Sequence, residues 1–407
     1  MNVWIFNHYA DSPDRPTTRS YDLGKQLVER GHQVTIFAAG FSHYNFKEQR
    51  LKPGEKSREE NWNGVRFVWL KTFPYCRNDW RRVLNMLSYA WRAFWTGRAM
   101  REKPDVVIGT SVHPLAAFAA CMVARKRRAR FFFEVTDLWP ETLIEFGMLR
   151  RSGLPARCLR ALEKFLYHHA EKIIMLLGHT HEYVANMGES PEKIVWIPNG
   201  VDLDRYSNLR PYDGKISEQF TIMYLGGIVY SNKIDAVLEA AKILEDQENN
   251  SARFVFIGDG TDKARLMQLA KALGLKNTEF RGLVPKTKIA EMMSEADAFI
   301  FSLQDLPLYK YGISLNKMCD YLASGRPILF AGESAYNPIR DAGAGICVPP
   351  GQPASIAKAV HQLIALTPEQ RVQMGRNGLD HLKKHHDMTV LGERLESCLF
   401  EGSVASK

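Results

Sequence analysis

Paired cysteines are missing from this sequence. Its six, at 76, 121, 158, 319, 347 and 398, are scattered, with no CxxC pair and none at metal-ligand spacing to a histidine. That pattern argues against a zinc site or a disulfide framework and points to a reducing cytosol. Long apolar runs are missing too. The most apolar stretch, 115–124, ends in Arg125-Lys126-Arg127-Arg128, well short of the ~20 residues that cross a bilayer. The run Val3-Trp4-Ile5-Phe6 is too short for a signal peptide and has no cleavage pattern. Glycine and proline are sparse, 29 and 19 of 407 residues, and hydrophobic residues make up 45%, which excludes global disorder and fibrous or repeat architectures. What remains is a globular chain too long for one core, so about two domains are expected.

Acid is scarce in the first half only. Residues 1–200 hold 30 Lys/Arg against 20 Asp/Glu and the rest hold 24 against 25, so the net charge of +9 divides into +10 and −1. Such a split directs the first half toward an anionic surface or a polyanionic substrate. Nucleic acid, anionic lipid and phosphorylated acceptors all stay open on charge alone.

Short β-branched or aromatic runs punctuate both halves. Residues 3–6 read as a buried strand, followed by a loop with Pro13 and Pro16 and a helix capped by Thr17 or Thr18 that runs to Gly31. Strands are expected at 34–37, 65–70, 106–108, 131–135, 173–177 and 194–197, mostly separated by helical stretches, which argues for a parallel sheet. The pattern then restarts. A strand at 221–225 ends in Gly226-Gly227, a helix spans 235–247, and a strand at 254–257 ends in Gly258-Asp259-Gly260. Strands at 299–301, 327–330 and 346–348 follow, with helices at about 286–295, 316–324, 353–366 and 368–386. The expected fold is α/β, two doubly wound domains in succession, with a polar boundary near 206–218. Ligands of such sheets sit beyond the carboxyl ends of the strands. The simplest site is therefore a cleft between two facing domains, one holding a nucleotide and the other an acceptor.

The most specific string is Ile197-Pro198-Asn199-Gly200-Val201-Asp202. Alone it is also a turn after a strand. It resembles the junction segment of the GT-B glycosyltransferases of family 4, retaining enzymes that use nucleotide sugars, and the resemblance spans nearly all of the chain. It implies two Rossmann-like domains, an acceptor-side one over 1–205 and a donor-binding one over 206–386, with a C-terminal helix at about 387–407 packing back on the first. Asn316-Lys317-Met318-Cys319-Asp320-Tyr321, leading to Gly325-Arg326-Pro327, looks like the family's donor helix and turn. Asp320 stands where the family has the second Glu of an E-x7-E pair, which accepts hydrogen bonds from the donor's ribose, as an acceptor-only carboxylate does well. The family's first Glu contacts the donor sugar, and Gly312 stands there instead, so donor recognition must differ from that of the commoner hexose transferases.

Before this helix, Gly312-Ile313-Ser314-Leu315 leads into free backbone N–H groups, with Ser314 and Asn316 at the turn. Lys317 adds a full charge toward a diphosphate, or is a solvated helix lysine. Gly226 and Gly227 fall where the family has Gly-Arg; with that Arg absent, Lys233 supplies the phosphate-facing cation or Asn232 occupies the site. Gly258 and Gly260 resemble the family's GxG turn, and the segment Phe280 to Lys286, with Leu283, resembles the part that brackets the base. The string with Asn316-Lys317 and Gly325-Arg326-Pro327 resembles a subgroup of bacterial surface-polysaccharide transferases that includes an O-antigen N-acetyl-L-fucosaminyl transferase. In the first half, Thr136-Asp137-Leu138-Trp139-Pro140-Glu141 resembles that subgroup's strand end, with Thr136 replacing His or Arg. Asp137 and Glu141 then remain as cleft-facing catalytic acids. His113 either approaches the reacting centre or caps a helix. Arg19 resembles the arginine that could hold an acceptor pyrophosphate, although the usual Gly-Gly loop before it is replaced by Pro13-Asp14-Arg15-Pro16. Asp202-Leu203-Asp204 matches a metal motif of another fold and is discounted; no metal and no cofactor beyond the donor are expected.

From Trp80 to Arg101, aromatic and cationic residues alternate at helical spacing, as in an interfacial helix or in a core helix with a basic face. With the cluster 125–130, they fit docking to an anionic membrane surface better than to nucleic acid, given the family's polyprenyl-diphosphate-linked acceptors. The expected activity is transfer of a sugar from a UDP-sugar, with UDP-N-acetyl-L-fucosamine as one candidate, to a lipid-linked glycan in O-antigen or capsule biosynthesis. The expected location is cytoplasmic, peripheral to the inner face of the cell membrane. Two alternatives stand beside it: a nucleotide-sugar epimerase of the same architecture, and a basic nucleic-acid-binding protein.

Overall fold

The computed structural model describes residues 1–15, 18–77, 79–247 and 252–400, with the side chains of Lys286 and Thr287 excepted. Pro16, the alternative cap Thr17 and the last residues of the expected C-terminal helix lie outside the described residues. The chain divides into two units, 1–198 joined by the segment from Met388 onward, and 199–387. The division falls after Pro198, upstream of the polar 206–218 stretch.

In the first unit eight strands form one sheet, in the order Ile194–Trp196, Lys172–Met175, Arg130–Val135, Val106–Thr110, Asn2–Phe6, Gln33–Ala39, Val65–Leu70 and Ser57–Trp62. All neighbours are parallel except the last pair. The central strands are near-continuous apolar runs because helices cover both faces; Phe6 and Phe37, for example, stack at 4.3 Å between centroids. Ser57–Trp62 was not expected from the pattern. It is polar, alternately exposed and joined to Val65–Leu70 by Asn63-Gly64, both at positive φ, the geometry of a two-residue hairpin turn.

Two helices of this unit bear on the site. Trp80–Ala99 is capped by Asp79, which accepts from the Arg81 N–H, and its inner stripe is Asn85, Tyr89, Ala93 and Gly97. A side chain at Gly97 would crowd Phe6 and Val123. The terminal helix Met388–Phe400 packs on Arg19–Glu29, where His32 bonds Glu396 at 2.8 Å. No helix among the described residues is long and apolar enough to cross a membrane.

The second unit is a six-stranded parallel sheet ordered Thr278–Arg281, Ala252–Ile257, Phe220–Leu225, Ala298–Ser302, Ile328–Ala331 and Gly345–Val348. Its edge strand Thr278–Arg281 is half-buried throughout, too polar to stand out in the sequence. Asp202 caps the short helix Leu203–Tyr206 by accepting from the Asp204 N–H, which gives the Asp-Leu-Asp string a local structural task.

Candidate functional site

In each sheet the chain starts at an inner strand, winds outward one way and then returns to wind the other way. A crevice opens at the carboxyl end of such a switch, the usual ligand position in open α/β sheets. In the second unit the switch lies between Phe220–Leu225 and Ala298–Ser302. Gly226 and Gly227 leave the first of these strands, and Gly258 and Gly260 leave the neighbouring Ala252–Ile257. The two loops lock backbone to backbone, the Gly226 N–H on Ile257 O and the Ile228 N–H on Asp259 O, both at 2.9 Å. A Cβ on Gly258 would stand 2.0 Å from Gly226 O, and one on Gly260 2.1 Å from Ile228 O, with φ of +142° and +159°. Close approach of chain to chain therefore requires these glycines. Gly227 is different: it is exposed, and a Cβ there would meet open space.

Lys317 reaches this loop from the first turn of the helix Asn316–Ala323. Its Nζ donates to the Tyr224 hydroxyl at 2.8 Å; that hydroxyl donates to Gly227 O at 2.6 Å, and Asn232 Nδ2 donates to both Tyr224 and Gly227 O. Burial lowers the Lys317 ammonium to about 7. Of the two residues weighed for the missing arginine, Asn232 is buried and braces the loop, while Lys233 pairs with Asp235 at 3.2 Å. The cation beside the glycine loop is Lys317. Lys263, which the sequence did not single out, donates to Gly258 O and Arg281 O and braces the second loop.

Asp320 sits one turn beyond Lys317, on the same helix face. Its Oδ1 accepts from the Tyr206 hydroxyl at 2.6 Å. The turn before the helix is pinned by the junction string: the Asn199 N–H donates to Ser314 Oγ at 2.8 Å and Asn199 Nδ2 to Ser314 O at 2.7 Å, while Asn199 O accepts from His386 Nδ1 and Cys319 Sγ. Asn316 opens the helix and is exposed. Gly312 has φ +106°, a conformation that L side chains rarely adopt, so the backbone itself departs from one that would carry a glutamate. Leu283 is 77% exposed and outside the core.

In the first unit the switch lies between Asn2–Phe6 and Val106–Thr110, and rings fill it. His113, at the N-cap of Pro114–Arg127, accepts the Ala116 N–H on Nδ1, and its Nε2 lies 2.6 Å from His8 Nδ1. Both rings are buried, and burial, aided by Arg82, lowers His113 to about 3. Of the two readings of His113 the cap is the one observed, with both ring nitrogens engaged inside the unit. Two further candidates have partners inside the unit. Arg19 gives its guanidinium to Glu134, at 2.9 Å, and to the carbonyls of Ile197 and Pro198, and so clamps the last strand. Glu141 is held by Arg160 and Arg151 at 2.7 and 3.0 Å. Asp137 is exposed, on a loop braced by the Ser111 hydroxyl. The sequence reading missed His8, Tyr9 and Arg82, which stand near His113, and His43 and Tyr75, which stand near Tyr9; the signal for two of them was the ring pair His8-Tyr9 just beyond the first strand. Among the described residues no three His, Cys, Asp or Glu side chains come together to hold a metal.

The chain is similar to known proteins over most of its length. Residues 16–200 match the model of the glycosyl transferase 4-like domain, and residues 207–381 match that of the glycosyl transferases group 1. WcaI of Escherichia coli (strain K12), assigned as a colanic acid biosynthesis glycosyl transferase, is 23% identical over 85% of this chain and 87% of its own. Among solved structures, sucrose-phosphate synthase from Thermosynechococcus elongatus superimposes with a TM-score of 0.76 at 14% identity, covering all of both chains. Anabaena HepE, solved with UDP and glucose, gives 0.67 at 13% identity over 100% of this chain and 99% of its own.

Proposed function

We propose, for a chain that belongs to the family 4 glycosyltransferases of the GT-B fold, that the second unit holds a UDP-sugar and the first receives a lipid-linked glycan. The product would be a step in building a bacterial surface polysaccharide, as the name of the E. coli relative suggests. UDP is the nucleotide proposed because HepE, of the same fold, was solved with it.

One observation carries this reading: a half-buried lysine beside a glycine loop, one helical turn from a carboxylate, at the carboxyl edge of a parallel sheet. That set suits the two ends of a nucleoside diphosphate. Asp320 accepts from ribose hydroxyls, while Lys317, the open backbone at Gly227 and the N-terminus of Asn316–Ala323 face the phosphates. As the sugar–phosphate bond breaks, its electron pair passes to the diphosphate, and a cation at that point lowers the barrier by being in place beforehand. The acceptor hydroxyl adds to the same face of the sugar and its proton leaves on the departing phosphate, which retains configuration. His113 acts here as a positioning residue, Asp137 as the exposed acid on the acceptor side. The Gly312 turn bears on which sugar is taken and favours one unlike the common hexoses, such as N-acetyl-L-fucosamine.

Membrane docking rests on the outer stripe of Trp80–Ala99. Trp80, Val83, Leu87, Trp91 and Trp95 are all exposed, Trp91 at 66%, and the helix holds Arg81, Arg92 and Arg98 with no acid. An anionic leaflet attracts each such charge by about 1 kcal/mol and accepts the rings at its interface. That would place the protein peripherally on the inner membrane face. The test is UDP release from a panel of UDP-sugars, with and without a polyprenyl-diphosphate-linked glycan. Release only with acceptor supports the transferase; turnover of donor alone is the outcome for an epimerase.

A further inference from the structure

The first-unit crevice holds an arrangement that the cap formed by His113 leaves unexplained. The Ala116 N–H donates to His113 Nδ1, so that nitrogen carries no proton and the neutral ring bears its proton on Nε2, which donates to His8 Nδ1. His8 must then carry its own proton on Nε2. That N–H is fully buried and has no partner among the described residues, and the buried hydroxyl of Tyr75 has none either. Each such orphan costs about 1–3 kcal/mol, a cost that a ligand can remove.

The surroundings say which ligand. His8 is flanked by Tyr9 and Tyr89, its ring stacked on Tyr89 at 4.3 Å, and Tyr9 lies near His43. Arg82 stands with its guanidinium carbon 5.9 Å from the Tyr9 ring. Burial first, then the neighbouring His113, His43 and Arg82, lowers His8, while His43 falls to about 4 and the Tyr75 hydroxyl rises to about 12. Among the described residues no carboxylate contributes to any of these shifts or to those of Tyr9 and His113. With the histidines held neutral, Arg82 carries the charge of the cluster, and the His8 N–H and the Tyr75 hydroxyl are its open donors, which suits a group that is anionic and acceptor-only.

We propose that His8, Tyr75 and Arg82 form an anion subsite that takes a phosphate of the acceptor's lipid diphosphate. This rests on the transferase reading above and replaces Arg19 in the role expected for it. Arg82 belongs to the inner side of Trp80–Ala99, opposite the exposed aromatic stripe. A bilayer headgroup would meet the outer stripe, whereas a diphosphate drawn out of the leaflet would reach the inner one.

The experiment uses the full chain and farnesyl diphosphate in detergent, followed by tryptophan fluorescence, with farnesol as the uncharged control and UDP titrated separately. Arg82→Gln should raise the dissociation constant for farnesyl diphosphate by at least about tenfold. Tyr75→Phe, which deletes only an orphan hydroxyl and should melt no lower than the parent, should raise it about threefold to tenfold. Farnesol binding, UDP binding and attachment to phosphatidylglycerol vesicles should not move. Unchanged farnesyl diphosphate affinity in a folded Tyr75→Phe and in Arg82→Gln overturns the subsite while UDP binding leaves the transferase reading standing. Loss of vesicle attachment alone assigns Arg82 to a headgroup and also overturns it. A parent chain that binds no UDP sinks the transferase reading and this subsite with it.

Discussion

The two units solve the same topological problem with opposite materials. At the switch of the second sheet, glycines clear the space and the main chain of one loop lies on that of the next, with one lysine set into the wall. At the switch of the first, side chains close the space: two histidines in contact, two tyrosines and an arginine. A backbone-built site is suited to a ligand shared by many enzymes, because N–H groups and a helix N-terminus recognise phosphate without regard to what it carries. Ring-built sites can be changed one residue at a time, which suits the partner that differs from enzyme to enzyme.

The largest test of this contrast adds one methyl. Gly258→Ala should cost about 3 kcal/mol or more, because a Cβ 2.0 Å from Gly226 O forces the loops apart at a φ that alanine rarely takes; UDP binding should vanish with it. Gly227→Ala, with open space around it, should leave the melting temperature alone. Equal effects at the two positions would break the backbone-built account.

Next in size is a pH effect in the first unit. Burial raises the Glu163 carboxyl from 4.5 to about 8, where Tyr183 and Tyr167 donate to it. A raised acid contributes stability that is present below pH 4.5 and lost as pH climbs through 8, on the order of 2–4 kcal/mol in all. Glu163→Gln should match the parent at pH 4.5 and melt higher at pH 8. Parallel melting curves across that range would contradict the buried, protonated state.

Lys317→Met should lower UDP affinity by roughly 2–3 kcal/mol, about 30- to 150-fold, with little effect on stability. Since its ammonium loses its proton near 7, parent affinity for UDP should fall as pH rises from 6.5 to 8.5, and Lys317→Arg should flatten that slope. The smallest effect should come from Ser314→Ala. It removes the acceptor of the Asn199 N–H and loosens the donor turn by about 1 kcal/mol, read as a modest rise in the Kd for UDP.

Legibility in the sequence followed the same division. The second-unit site was readable because its parts are contiguous strings: Gly226-Gly227, Gly258-Asp259-Gly260 and the run from Gly312 to Pro327. What these strings could not disclose was that Asn232 would brace the loop and leave the cation's place to Lys317, since that depends on Tyr224 lying between them. In the first unit the partners of the candidate residues are remote in the chain. Arg19 meets Glu134 and the carbonyl of Pro198, and Glu141 meets Arg151 and Arg160; a resemblance at one position carries no information about such partners. His8 follows the first strand, whereas Tyr75 and Arg82 lie far along the chain, in the loop before Trp80–Ala99 and in the first turn of that helix, so the three leave no local signature. Most strands were visible as apolar runs, yet Ser57–Trp62 was not, because an edge strand protects itself with charge; the Asn63-Gly64 turn was the cue that marked it.

The central claim is that nucleotide recognition belongs to the second unit and owes nothing to the rings of the first. Calorimetric titration of UDP into the parent, Asp320→Ala and Arg82→Gln chains tests it most directly. The account predicts at least about a tenfold loss of affinity in Asp320→Ala and parental affinity in Arg82→Gln. Unchanged affinity in Asp320→Ala, or a loss in Arg82→Gln instead, would contradict it.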